Sequence, residues 1–166
     1  MRIYPIFTLL LFGLLAVGCE PATEMQDIDL SDQVSDRNAD GIGHYVYSLS
    51  LPRRVAAGET LEVQMEWRTR GPVEPTALYD LDVLLSGPAT HRKVFRAQEN
   101  NVGEIHPDNW FNYRIPLPET LPAGDYTLSV RVRDTKLNDR VLELGYREAL
   151  LAGDGYYRLA ELEVVN

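Results

Sequence analysis

The chain has 166 residues, a formal net charge of −9, 45% hydrophobic residues and one cysteine. That length suits one ordinary domain, and the apolar and aromatic content is too high for a disordered chain. A single cysteine excludes an intramolecular disulfide framework and a multi-thiolate metal site. The acidic balance argues against a nucleic-acid partner, which needs clustered Lys and Arg on one face.

The first element is apolar. Arg2 is the only charge before Glu20, and the run from Ile3 to Val17 is broken only by Tyr4, Pro5, Thr8 and Gly13. It has the length of a signal-peptide core and is too short for a spanning helix, which needs about 20 apolar residues. Ala16-Val17-Gly18-Cys19 closes it. This tetrapeptide resembles the lipobox of bacterial lipoproteins, with Ala16 where that family usually has Leu. The resemblance implies cleavage before Cys19, acyl chains on Cys19, and residues 1–18 as the signal. Glu20, rather than Asp, after the cysteine implies the outer membrane over the inner one. Buried acyl chains contribute about 0.8 kcal/mol per methylene, so two or three of them anchor a protein firmly.

Residues 20 to 43 carry seven acids against one Arg and no aromatic residue. Such a composition buries little apolar surface and reads, from 19 to 43, as an extended acidic tether. Within it, Asp36-Arg37-Asn38-Ala39-Asp40-Gly41 matches the opening of a calcium loop, in which alternate oxygens from Asp36, Asn38 and Asp40 converge on a cation. The twelfth position is Tyr47 rather than a bidentate Glu. The expectation is therefore a solvated acidic turn, with calcium as the weaker alternative and no other cofactor.

From residue 44 to 166 the pattern is strict alternation. In Leu61 to Arg68 every odd position is apolar; Tyr126, Leu128, Val130 and Val132 alternate with polar residues; Phe111, Tyr113, Ile115 and Leu117 share a face. Further strands are expected at Tyr45–Leu51, Leu78–Leu85, Arg92–Ala97, Val141–Leu144 and Tyr156–Val165, with turn signals such as Ala57-Gly58 and Gly153-Asp154-Gly155 between them. The helical candidate is Tyr146 to Ala152. Seven or eight short half-buried strands predict an all-β, antiparallel two-sheet sandwich, immunoglobulin-like or jelly-roll-like, as one domain over 44–166.

Leu49-Ser50-Leu51-Pro52, Ala57-Gly58, Val63 to Gly71, Ile105-His106-Pro107, Pro116-Leu117-Pro118, Leu121 to Val130 and Asp154 to Val164 follow one another in order. In this order they resemble the β-sandwich domain found after TIM-like barrels in bacterial glycoside-hydrolase-related proteins. That family usually has W-x-N-x-G, and Thr69 replaces the Asn here. With no barrel ahead of it, the resemblance implies the sandwich and an association with carbohydrate but no hydrolase activity.

Catalytic constellations are hard to find. HExxH, G-x-S-x-G and phosphate-binding glycine loops are missing. His44, His91 and His106 lack zinc-ligand spacing. Asp80/Asp82 and Glu161/Glu163 sit at strand spacing and read as solvated faces rather than as two carboxylates across a cleft. The expectation is a non-catalytic protein. Trp67 is in phase with the core residues Leu61, Val63 and Met65. Trp110, in the polar stretch 104–110, with His106 and with Tyr156 after its glycine turn, is the candidate ligand set, since aromatic faces stack on sugar rings. Interspersed Arg and acidic residues predict cross-strand ion pairs. The first functional expectation is a lipid-anchored carbohydrate-binding or accessory module. The alternative is a structural or assembly lipoprotein docking another envelope protein, and a small glycan hydrolase ranks third.

Overall fold

The computed structural model describes residues 24–36, 43–71, 77–100, 102–103 and 109–166. They form eleven strands: β1 (Met25–Asp29), β2 (Gly43–Pro52), β3 (Arg54–Ala56), β4 (Thr60–Arg70), β5 (Tyr79–Ser86), β6 (Thr90–Phe95), β7 (Trp110–Pro116), β8 (Gly124–Asp134), β9 (Arg140–Val141), β10 (Leu151–Gly153) and β11 (Tyr156–Val165). One sheet has the order β1-β2-β4-β7, the other β10-β11-β8-β5-β6, with β3 beside β11 and β9 beside β8. The expected all-β two-sheet sandwich is the fold. The strands beyond the expected number are mostly two- or three-residue pieces, and β1 lies ahead of the expected domain. The β3–β11 pair is parallel.

The alternation seen in the sequence builds the core. Val46, Leu49, Leu61, Val63, Met65, Trp67, Tyr113 and Ile115 face inward from the first sheet, and Leu81, Val83, Leu85, Leu128, Val130, Val132 and Leu162 from the second, all of them buried. Alternating side chains on two antiparallel sheets interdigitate in this way. Trp67 is core, as its phase predicts.

Two expectations are corrected. The acidic segment does not remain a tether to residue 43. Met25–Asp29 pairs with β2 from Met25↔Pro52 to Asp29↔Ser48, and Leu30 and Val34 are buried. Composition obscured this because Gln26, Ile28 and Leu30 alternate with Asp27 and Asp29, so one face of an acidic strand meets the core while the acids stay in water. The domain thus begins by Met25 rather than at residue 44. Nor is Tyr146–Ala152 helical: Glu148–Leu150 is a single 3-10 turn and Leu151–Gly153 is a strand paired with β11.

Tyr146 explains that second departure. β1 stops covering β2 after Leu30, whose N–H reaches the Tyr47 carbonyl at 2.9 Å. Next to this point β2 carries a bulge between Val46 and Ser48. The buried Tyr146 hydroxyl accepts from the Val46 N–H at 2.6 Å and donates to the Val46 carbonyl at 2.7 Å. It takes the place of a neighbouring strand. Gly145 N–H donates to the His44 carbonyl, and Arg147 N–H to the Gln33 carbonyl. A helix here would withdraw these backbone partners from buried groups.

Candidate functional site

The two sequence-neighbouring aspartates are not a solvated face. Asp82 is completely buried and Asp80 nearly so. The antiparallel register of β5 and β8 sets Asp82 opposite Arg131 and Asp80 opposite Arg133. Asp82 Oδ2 accepts from Arg131 Nη2 at 2.6 Å, Arg131 Nε at 3.1 Å and Arg92 Nη2 at 2.7 Å, and Oδ1 from Arg133 Nη2 at 3.2 Å. Asp80 accepts from Arg96 Nη1 at 2.6 Å and from the Ala97 N–H at 3.2 Å. The cross-strand ion pairs expected from the interspersed charges are present, and those of Asp80 and Asp82 are buried at their acidic ends. Burial alone pushes the Asp82 carboxyl up. The hydrogen bonds of Arg131 and Arg133 and the charges of Arg133 and Arg92 outweigh it and hold the group below the ordinary carboxylate value of 3.8. A glycosidase acid needs the reverse shift.

His44, on β2, is 2% exposed. Its Nδ1 lies 2.9 Å from Thr69 Oγ1, and its ring is 4.8 Å from that of Tyr79. Burial lowers its pKa from 6.5 to about 4. The folded protein therefore keeps His44 neutral where the unfolded chain takes up a proton. Its contribution to stability is fully present above 6.5 and is lost as pH falls towards 4. The size of the loss is about 3 kcal/mol. Urea unfolding between pH 7 and 4.5 should show that slope, and His44→Gln should flatten it; an unchanged slope contradicts the assignment.

Of the expected ligand residues, the two that are described, Trp110 and Tyr156, lie on different sheets. Trp110 is the first residue of β7 rather than part of a loop, and is 47% exposed. Tyr156 lies on the other sheet, 8% exposed, with the Arg131 guanidinium 4.4 Å from its ring centre. That cation occupies the face a sugar would need. His106 lies outside the described residues, as do Cys19, Asn38 and Asp40. Asp36, the remaining member of the calcium motif, is exposed. Among the described residues no group of three or more His, Cys, Asp or Glu is arranged to hold a metal ion.

What the structure does present is an edge. Among the described residues β7 pairs on one side only, with β4, from Thr60↔Pro116 to Glu66↔Trp110. The Trp67 N–H donates to the Asn109 carbonyl and the Leu117 N–H to the Glu59 carbonyl. Odd residues of β7 therefore form the hydrogen-bonded pairs with β4, and the N–H groups of Trp110, Asn112 and Arg114 point away from the sheet. Trp110, Asn112, Arg114 and Pro116 are exposed on the outer face, and Phe111, on the inner side, is 37% exposed with its ring 5.1 Å from that of Tyr113. Opposite Trp110, Glu66 is fixed by Ser48 Oγ at 2.8 Å and Arg68 Nε at 2.7 Å, and the Arg68 guanidinium stacks 3.2 Å from the Tyr47 ring centre. Sequence alternation showed which residues of β7 share a face. It carried no signal that the strand is an edge, because that depends on what lies beside it.

The chain matches no protein-family model and no curated protein. It is similar to the crystal structure of a conjugative transposon lipoprotein from Bacteroides eggerthii, at 16% identity and a TM-score of 0.31, over 77% of this chain and all of the other.

Proposed function

We propose that this protein is a lipid-anchored, non-catalytic sandwich of the bacterial cell envelope that works by docking protein at the free edge of β7. The anchor reading rests on Cys19, the sole cysteine, at the one position the lipobox requires, with Glu20 favouring the outer membrane. The single observation that carries the docking role is the edge of β7, unpaired among the described residues, with Trp110 and Phe111 exposed on it. An extended segment can add to such an edge through backbone hydrogen bonds, with side chains supplying specificity. The non-catalytic reading is supported by Asp80 and Asp82, whose charges are already engaged by four arginines.

The exposed Trp110, beside Gln64, Asn112 and Arg114 on the outer face, favours a second reading as a glycan platform. A glycan array probed with the full chain separates the two. Docking predicts no retained glycan; retention that Trp110→Ala abolishes, at an unchanged melting temperature, overturns docking in favour of sugar binding. For the anchor, Cys19→Ser is expected to leave an uncleaved precursor and to abolish incorporation of labelled fatty acid. Normal processing and labelling of that variant would falsify lipidation.

A further inference from the structure

We infer that the occupant of the β7 edge is β7 of a second copy of this chain, paired antiparallel about a two-fold axis at Asn112. The inference rests on the reading of that edge as the docking surface and names its partner. In this register Asn112 lies opposite the partner's Asn112, Trp110 opposite the partner's Arg114, and Phe111 opposite the partner's Tyr113. All three pairings keep inner-face residues with inner-face residues and outer with outer, so two four-stranded sheets join into one continuous sheet.

The backbone restricts the register. Only even residues of β7 have N–H groups that point outward, so even residues must form the new hydrogen-bonded pairs. The axis at Asn112 pairs Trp110, Asn112 and Arg114 with one another and leaves Pro116 beyond the paired segment. An axis one step on, at Tyr113, would force Pro116 into a hydrogen-bonded pair that it cannot complete, because proline has no N–H. The side chains agree with that choice. Trp110 against the partner's Arg114 is a cation–aromatic pair, and Phe111 against the partner's Tyr113 an aromatic pair, both of which stabilise neighbouring strands. Like charges do not meet: the two Arg114 side chains fall at opposite ends of the paired segment, each beside Glu62 of its own chain at 3.2 Å.

The other long edges are unsuited to self-pairing. Along β1, Asp27 and Asp29 would set acid against acid, and along β6, Arg92 and Lys93 would set base against base. Charges of one sign along an edge deter pairing with a copy of itself. β7 carries a single charged residue, Arg114.

The test uses the full chain in its own envelope, with a photo-crosslinking benzophenone amino acid in place of Asn112, and in a control in place of the exposed Glu161 on β11. Irradiation is expected to give an adduct of twice the monomer mass from position 112 and not from 161. Arg114→Pro removes an outward N–H that β4 does not use, together with the cation, and should reduce the adduct several-fold; Trp110→Ala, which leaves the backbone alone, should reduce it too, with melting temperature retained. An adduct of any other mass overturns the second copy as partner while leaving docking at β7 intact. Absence of any adduct, or an equal dimer yield from position 161, overturns both.

Discussion

Asp82→Asn is expected to lower the unfolding free energy by about 3–5 kcal/mol, because it removes the fully buried carboxylate shared by three arginines and leaves Arg131 without an acidic partner, while Arg133 keeps Asp139 at 3.1 Å and Asp80 at 3.6 Å. Arg131 and Arg133 are only 17% and 15% exposed, and both donate to this one carboxylate. Asparagine keeps the shape and one acceptor oxygen but not the charge. Arg92, 46% exposed, reaches the same carboxylate from the rim. Arg92→Ala should therefore cost about 0–1 kcal/mol, as a solvated partner does. Denaturant midpoints of the two variants, compared at neutral pH, check both values. The network also has an acid limit. Since the folded Asp82 titrates below 3.8, its contribution is present above that value and disappears as pH falls through the lower, folded one. A small loss for Asp82→Asn would mean that the arginines find water or other acceptors once the carboxylate is gone.

Tyr146 is the second sensitive point. Tyr146→Phe is expected to destabilise by about 1–3 kcal/mol, since it leaves the Val46 N–H and carbonyl, both buried at the bulge, without their partner. Tyr146→Ala should cost about 3–5 kcal/mol by adding a cavity beside Tyr45 and Tyr157. These rings stand 6.5 Å and 5.5 Å from that of Tyr146. The difference between the two variants separates the hydroxyl from the ring. If the Tyr146→Phe variant proved as stable as the parent in thermal and urea unfolding, the hydroxyl would not be standing in for a strand.

Most of the architecture was legible because a half-buried strand writes its burial into every second residue. Leu61–Arg68 and Tyr126–Arg133 show this directly, and their inward residues are the core. β1 was masked by its acids: its inward side is the half-buried Ile28, followed by the buried Leu30 just past its end, too few to stand out from a tether. Tyr146 was illegible for another reason. Its role depends on β2 bulging a hundred residues earlier, and one aromatic near a glycine looks the same in a helix or a crossover. The site followed a similar division. Trp110, singled out by its polar stretch, is exposed, whereas Tyr156, singled out by its glycine turn, is covered by Arg131 from a neighbouring strand. Asp80 and Asp82 alternate with Leu81 and Val83 as surface acids would, but their arginine partners lie on β6, on β8 and just beyond β6.

Docking at β7 has one direct measurement: hydrogen exchange of the Trp110, Asn112 and Arg114 amides with the chain in its native envelope and dispersed in detergent. In detergent these outward N–H groups should exchange fast while those of Phe111, Tyr113 and Ile115, which face β4, stay protected. Protection of the even amides in the envelope, to a level approaching that of the odd ones, is the predicted result. Equally fast exchange in both settings would contradict docking at this edge.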